Sequence, residues 1–108
     1  MAGRSTLIAA GKDAATGKFK VYTNRTVMVV GHGFAADTDD EMTLEVSYDG
    51  GTNYVPMWNA NAQVKITGPS HSSAKQTYQI ISAPGDYLVR RAANQTQDIG
   101  AVLVRVPS

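Results

Sequence analysis

Two histidines hold most of the chemistry open to this chain. His32 sits between two glycines, and His71 lies in a polar stretch from Gly68 to Gln76. With Ser70 and Asp86, His71 completes a nominal Ser–His–Asp set, in which imidazole takes a hydroxyl proton and a carboxylate orients the ring. No nucleophile-elbow sequence presents the serine on a strained turn. The expectation is therefore a turn or packing role for His32, a solvated ring for His71, and no catalytic residue. The acidic run Asp37-Thr38-Asp39-Asp40-Glu41 has oxygens of the kind calcium takes, but not the glycine and distal glutamate of an EF-hand loop. It reads as turn carboxylates. No histidine or cysteine cluster has zinc spacing and no glycine-rich loop opens a helix, so neither metal nor cofactor is expected.

The elements that must position these groups are strands. Among 108 residues, eleven Val, five Ile, ten Thr and five Tyr stand against four Leu, and branched or aromatic side chains suit a pleated surface. Ten Gly and four Pro supply turns, and with no cysteine there is no disulfide framework. No apolar run approaches the ~18 residues of a membrane span, and the first ten residues hold only a very short apolar patch. The expectation is a protein made in a cytoplasm, with no membrane association.

Period-two alternation begins at Lys18, where Phe19 and Val21 share a face. Thr26 to Val30 is apolar on both faces and reads as a central strand covered on each side. Met42, Leu44, Val46 and Tyr48 alternate with Glu41, Thr43, Glu45 and Ser47, the pattern of a strand buried on one side. Asp49-Gly50-Gly51 then turns the chain into a strand from Tyr54 to Trp58, which Pro56 marks as an edge or bulged strand. Gln63–Thr67, Thr77–Ser82, Asp86–Arg91 and Ala101–Val106 follow, with Val102, Val104 and Val106 on one face. About eight strands at intervals of ~8–12 residues predict an all-β, single antiparallel β-sandwich, jelly-roll-like or Ig-like, over residues 18–108. Residues 1–17, small and polar apart from Leu7 and Ile8, read as an extended, flexible N-terminal arm.

Charge is segregated along the chain although the formal net is only +1. The first 25 residues carry a net +4 and residues 37–49 a net −6. Opposite patches of this kind suit self-association or docking on a charged surface. The candidate contact residues are Arg4, Leu7, Ile8, Lys12 and Lys18 in the basic segment, Asp37, Asp39 and Asp40 in the acidic one, and Tyr54 and Pro56 on the edge strand. No aromatic residue precedes Phe19 to stack bases, so no specific nucleic-acid binding is expected. Trp58 is expected in the core; exposed, it would with Tyr54 suit a carbohydrate-binding module.

Three local resemblances refine the reading. Ser47-Tyr48-Asp49-Gly50-Gly51-Thr52-Asn53-Tyr54 resembles an Asp-box hairpin, which implies that Ser47 and Asp49 brace the turn above an aromatic residue. Pro84-Gly85-Asp86-Tyr87 resembles the turn before a sandwich strand, where a tyrosine hydroxyl bonds back to backbone. The Leu44–Tyr48 strand, the Asp49-Gly50-Gly51 hairpin and Ala83–Arg90 together resemble the small β-sandwich virion proteins of tailed bacteriophages. That resemblance implies a non-enzymatic capsid decoration or cement protein. It would sit in the virion, bind the major capsid protein, form a homo-oligomer (dimer or trimer) and stabilise the head. A phage tail or adhesion component is the variant of the same reading.

Overall fold

The computed structural model describes residues 3–35 and 38–105, and every regular element in it is a strand. In chain order these are β1 (Gly3–Gly11), β2 (Ala15–Val21), β3 (Val27–His32), β4 (Glu41–Ser47), β5 (Tyr54–Pro56), β6 (Trp58–Asn59), β7 (Ala62–Gln63), β8 (Lys65–Thr67), β9 (Tyr78–Ile81), β10 (Gly85–Arg91) and β11 (Ile99–Arg105). All pairings are antiparallel. The first sheet has the order β1-β11-β3-β9; the second has the order β2-β10-β4-β5, with β8 also on β4. The chain shuttles between the two sheets, so neighbours within a sheet are mostly distant in sequence.

Alternation decides which side chains meet between the sheets. The first sheet sends in Ile8, Val27, Val29, Ile81, Ile99, Ala101 and Leu103; the second answers with Phe19, Val21, Met42, Leu44, Ile66, Tyr87 and Val89. Phe19 and Tyr87 stack with ring centroids 5.5 Å apart. The Tyr87 hydroxyl donates to the Ala83 carbonyl at 2.7 Å, as the Pro84-Gly85 turn leads one to expect. Burial also pushes this phenol above its ordinary pKa, which keeps it a donor.

The N-terminal segment departs from the expected free arm. Gly3–Gly11 forms β1, an edge strand on β11 with Gly3 opposite Arg105 and Thr6 opposite Val102. A register shift between Thr6 and Ile8 turns Ile8 inward, where it is 3% exposed. Gly17 lets β1 lie close against β2, since a Cβ there would collide with the Leu7 carbonyl. The alternation that marks the other strands is broken in β1 by this shift. Its partner, at the far end of the chain, supplies the order that local composition lacks.

The edge of the second sheet is interrupted. Leu44 accepts a hydrogen bond from the Met57 amide and donates its own amide to the Val64 carbonyl, so residues 58–63 leave the ladder as a small β6–β7 hairpin. Ala60, at positive φ (57°), turns that hairpin. Trp58 rides on it and is 63% exposed, which corrects the expectation of a core tryptophan. No inward position exists for an indole on a strand pair that projects from the sheet.

Candidate functional site

The histidine and the acidic run converge where β4 begins. Glu41 lies opposite Thr67 of β8, and the 68–76 loop folds back over it. His71, expected in solvent, is instead 3% exposed. Its Nε2 lies 2.9 Å from Glu41 Oε1, and its Nδ1 accepts the backbone N–H groups of Ser73 and Ala74, both at 3.1 Å. Lys65 Nζ reaches Glu41 Oε2 at 3.2 Å, and Asp39 takes the amide (2.8 Å) and hydroxyl (2.9 Å) of Ser72. These contacts convert a polar stretch into an ordered loop.

Ser73 Oγ lies 3.3 Å from Nδ1, so Ser73, His71 and Glu41 form a serine–histidine–carboxylate line that sequence reading misses. The chemistry of the line is set by Nδ1. Two backbone amides already occupy its lone pair, which places the ring proton on Nε2, facing Glu41. A nitrogen so engaged holds the 71–74 turn and has no free lone pair to take the serine proton. The nominal Ser70–His71–Asp86 set is not assembled by these contacts: Asp86 faces Lys20 across the β10–β2 pair, while His71 holds Glu41.

The remaining acidic residues are also committed. Asp40, 7% exposed, accepts the amides of Thr96 (3.0 Å) and Gln97 (2.8 Å) and the Thr96 hydroxyl, pinning the 92–98 loop. Glu45 pairs with Arg90. Asp37 lies outside the described residues. Among those described, no three His, Asp or Glu side chains are grouped to hold a metal ion.

Asp49 and Ser47 brace their hairpin as the Asp-box resemblance implies. Ser47 Oγ accepts the Gly51 amide at 2.8 Å, and Asp49 accepts those of Thr52 (3.2 Å) and Asn53 (2.8 Å). Bonds from the Asn53 backbone and then its side chain hold the Asp49 carboxyl below the ordinary aspartate range. The fold thus prefers the ionised form. Its contribution is present above the ordinary aspartate pKa and lost as pH falls through the depressed one. Asp49→Asn is expected to melt below wild type near about pH 7, with the gap closing toward about pH 2. Thermal melts across that range check this; a gap constant with pH would show that the charge contributes nothing.

The candidate contact residues do not form one surface. Ile8 is inside the core, so its side chain is not available to a partner, and Leu7 is partly buried against the core. Arg4 stands on the outer face of β1; Lys12 pairs with Asp98 at 3.8 Å. Lys18 lies over the Tyr54 ring on the outer face of the second sheet, 5.5 Å from its centroid, and Pro56 is exposed on β5 opposite Glu45. Asp39 and Asp40 are occupied by loops, as above. The charge segregation of the sequence is thus largely consumed inside the fold.

What sequence reading missed is a contrast between the two outer faces. On the second sheet, the outward positions of β2, β10 and β4 carry Lys18, Lys20, Asp86, Arg90, Thr43 and Glu45. Lys20–Asp86 and Arg90–Glu45 are ion pairs, and the one outward leucine, Leu88, is covered. On the first sheet, one cross-strand row is Thr6–Val102–Val30–Tyr78 and the next is Arg4–Val104–Met28–Ile80. Six of these eight side chains are large and apolar. Tyr78 is 52% and Ile80 61% exposed, and Met28, Val30, Val102 and Val104 are only partly buried. The signal was present in the Val102, Val104 and Val106 face of the last strand and in Thr26–Val30, where apolar residues at successive positions read as cover on both sides. Here only one side is covered.

Beside β8, Trp58, Asn61, Gln63, Lys65, Ser73 and Gln76 border an open depression of about 430 Å³. No match to the chain was found among protein-family models, curated proteins or solved structures.

Proposed function

We propose that this chain is a non-enzymatic structural protein of a virion, a capsid decoration protein that docks on the major capsid protein and reinforces the head. One observation supports the reading most directly. His71 and the carboxylates of Glu41 and Asp40 are spent on bracing loops, while large apolar side chains are displayed outside. An enzyme needs titratable groups free to exchange protons in a cleft; a binding protein needs uncovered apolar area. The phage resemblance of the Leu44–Tyr48 strand and the Ala83–Arg90 turn supplies the kind of assembly.

The test is direct. Purified chain is mixed with undecorated capsids, sedimented, and the pellet imaged by electron microscopy. Added density at fixed lattice positions is expected; a chain that stays in the supernatant at molar excess overturns the proposal. The exposure of Trp58 beside the amides of Asn61, Gln63 and Gln76 favours a second reading, a glycan-binding module of a tail or adhesion component. Aromatic faces stack on sugars while amides bond their hydroxyls. Under the capsid reading, tryptophan emission is unchanged by oligosaccharides; saturable quenching would move the assignment to the glycan reading.

A further inference from the structure

Among the described residues nothing covers the apolar outer face of the first sheet, and we propose that a second copy of this chain covers it, two first sheets packing face to face about a two-fold axis. The inference deepens the structural-protein reading by assigning a partner to one surface. It begins from the contrast between the faces. A sheet face that meets water carries alternating polar groups, as the second sheet does with its ion pairs. The first sheet carries Tyr78, Ile80, Met28, Val30, Val102 and Val104 in two adjacent rows.

Among the described residues, no carboxylate lies in those rows, and the single charge is Arg4 at the β1 edge. A face so poor in charge fits an apolar partner surface and gives a charged one nothing to pair with. Four strands ~4.8 Å apart, from four residues in β9 to nine in β1 and averaging about 20 Å of length, make a flat footprint of roughly 400 Å² per copy. Side-chain relief raises the accessible area, so two copies together reach the ~1,000 Å² that a specific interface requires. Closed two-fold pairing also removes the patch from both molecules at once, whereas a head-to-tail contact would leave one copy of it open.

The direction of the axis follows from the strand order. An axis parallel to the strands, between β11 and β3, lays β1 of each copy over β9 of the other. Val102 and Val104 then meet Val30 and Met28, so branched side chains pack against a flexible one. Arg4 arrives beside Ile80 and Tyr78, where its stem covers apolar area and its guanidinium reaches the ring. An in-plane axis across the strands would instead bring β1 over β1 and the two arginines together, which like-charge repulsion disfavours. The sheet twist sets the strands of the two copies at roughly 30° to each other.

Sedimentation velocity of the full chain from about 1 to about 100 μM reads the self-association, with the dimer expected to dominate at the upper end. Ile80→Glu introduces a charge on an already exposed side chain, so the core is untouched and a thermal melt confirms folding. Association should weaken by at least about 100-fold in affinity, since a buried unpaired carboxylate is costly. The chain has no cysteine, so mixing Thr6→Cys with Tyr78→Cys under oxidising conditions tests the axis. A disulfide-linked heterodimer is expected. A monomer at the highest concentration, a trimer, an Ile80→Glu variant that still dimerises, or no cross-link between those two variants overturns the proposal. So does a monomer whose attachment to capsids is lost on Ile80→Glu, for then the capsid protein is the occupant. A monomer that decorates capsids unaffected by Ile80→Glu sinks this inference and leaves the proposed function standing; a dimer that never binds capsids does the reverse.

Discussion

Removing the first eleven residues is expected to abolish cooperative folding. A free arm could be deleted without a change in melting temperature, but residues 3–11 are β1, hydrogen-bonded along β11 and supplying Ile8 to the core. Losing a buried isoleucine side chain alone costs about 2–5 kcal/mol. The β1–β11 ladder adds about 1 kcal/mol for each hydrogen bond left without a protein partner. Together these approach the roughly 5–15 kcal/mol that holds an ordinary domain together. Deletion also uncovers the backbone of β11 and turns an interior strand into a new edge. Far-UV circular dichroism with a thermal ramp reads the outcome. A truncated chain that melts within a few degrees of the full one would show that β1 adds nothing to the fold.

Arg91→Met is expected to be the most damaging single substitution of a charged residue. Arg91 ends β10 facing inward, 6% exposed, and its guanidinium donates to three carbonyls: Asp13 (2.6 Å), Ala9 (2.7 Å) and Ile99 (2.7 Å). Those carbonyls belong to the β1–β2 turn, β1 and β11, so one side chain ties the N-terminal strand to both sheets. Hydrogen bonds from a charged donor contribute about 1.5–3 kcal/mol each, and some of the orphaned carbonyls will recover water. A net loss of about 3–4 kcal/mol follows, or roughly 15–25 °C in Tm for a domain of this size. Arg91→Lys should restore less than half of it, because an ammonium is a point charge and cannot span three segments as the planar fork does. Lys12→Met, which breaks only the exposed pair with Asp98, should cost under about 1 kcal/mol. Chemical denaturation of the three variants ranks them; an Arg91→Met curve lying on that of Lys12→Met would remove Arg91 from its structural role.

Legibility in the sequence followed the range of the interactions involved. The β4 strand and its Ser47–Asp49 turn are legible because alternation and turn chemistry act within about ten residues. Tyr87 and its backbone partner Ala83 are four residues apart, and that contact is legible too. His71 is not. Its burial depends on Glu41, thirty positions away, and on a loop that closes only when β4 and β8 pair. Two of the candidate contact residues are buried for a related reason. Ile8 and Asp40 have the composition of surface segments, yet tertiary partners bury both. Trp58 went the opposite way, carried out of the sheet by the Met57–Val64 backbone bonds around Leu44.

The sequence by itself determined that the protein is all-β, where most of its strands begin and end, and which turns close them. Side-chain period and turn chemistry are local properties of the chain, and they survive without knowledge of any partner. Only the tertiary structure decided that the first strand joins the last, that the histidine is a loop brace, and which of two apolar strand faces is left outside. The period of two states that β3 and β11 have two apolar faces; it does not state what lies over each. One face of the first sheet meets the core and the other meets no other described residues, and that difference exists only once the sheets have packed.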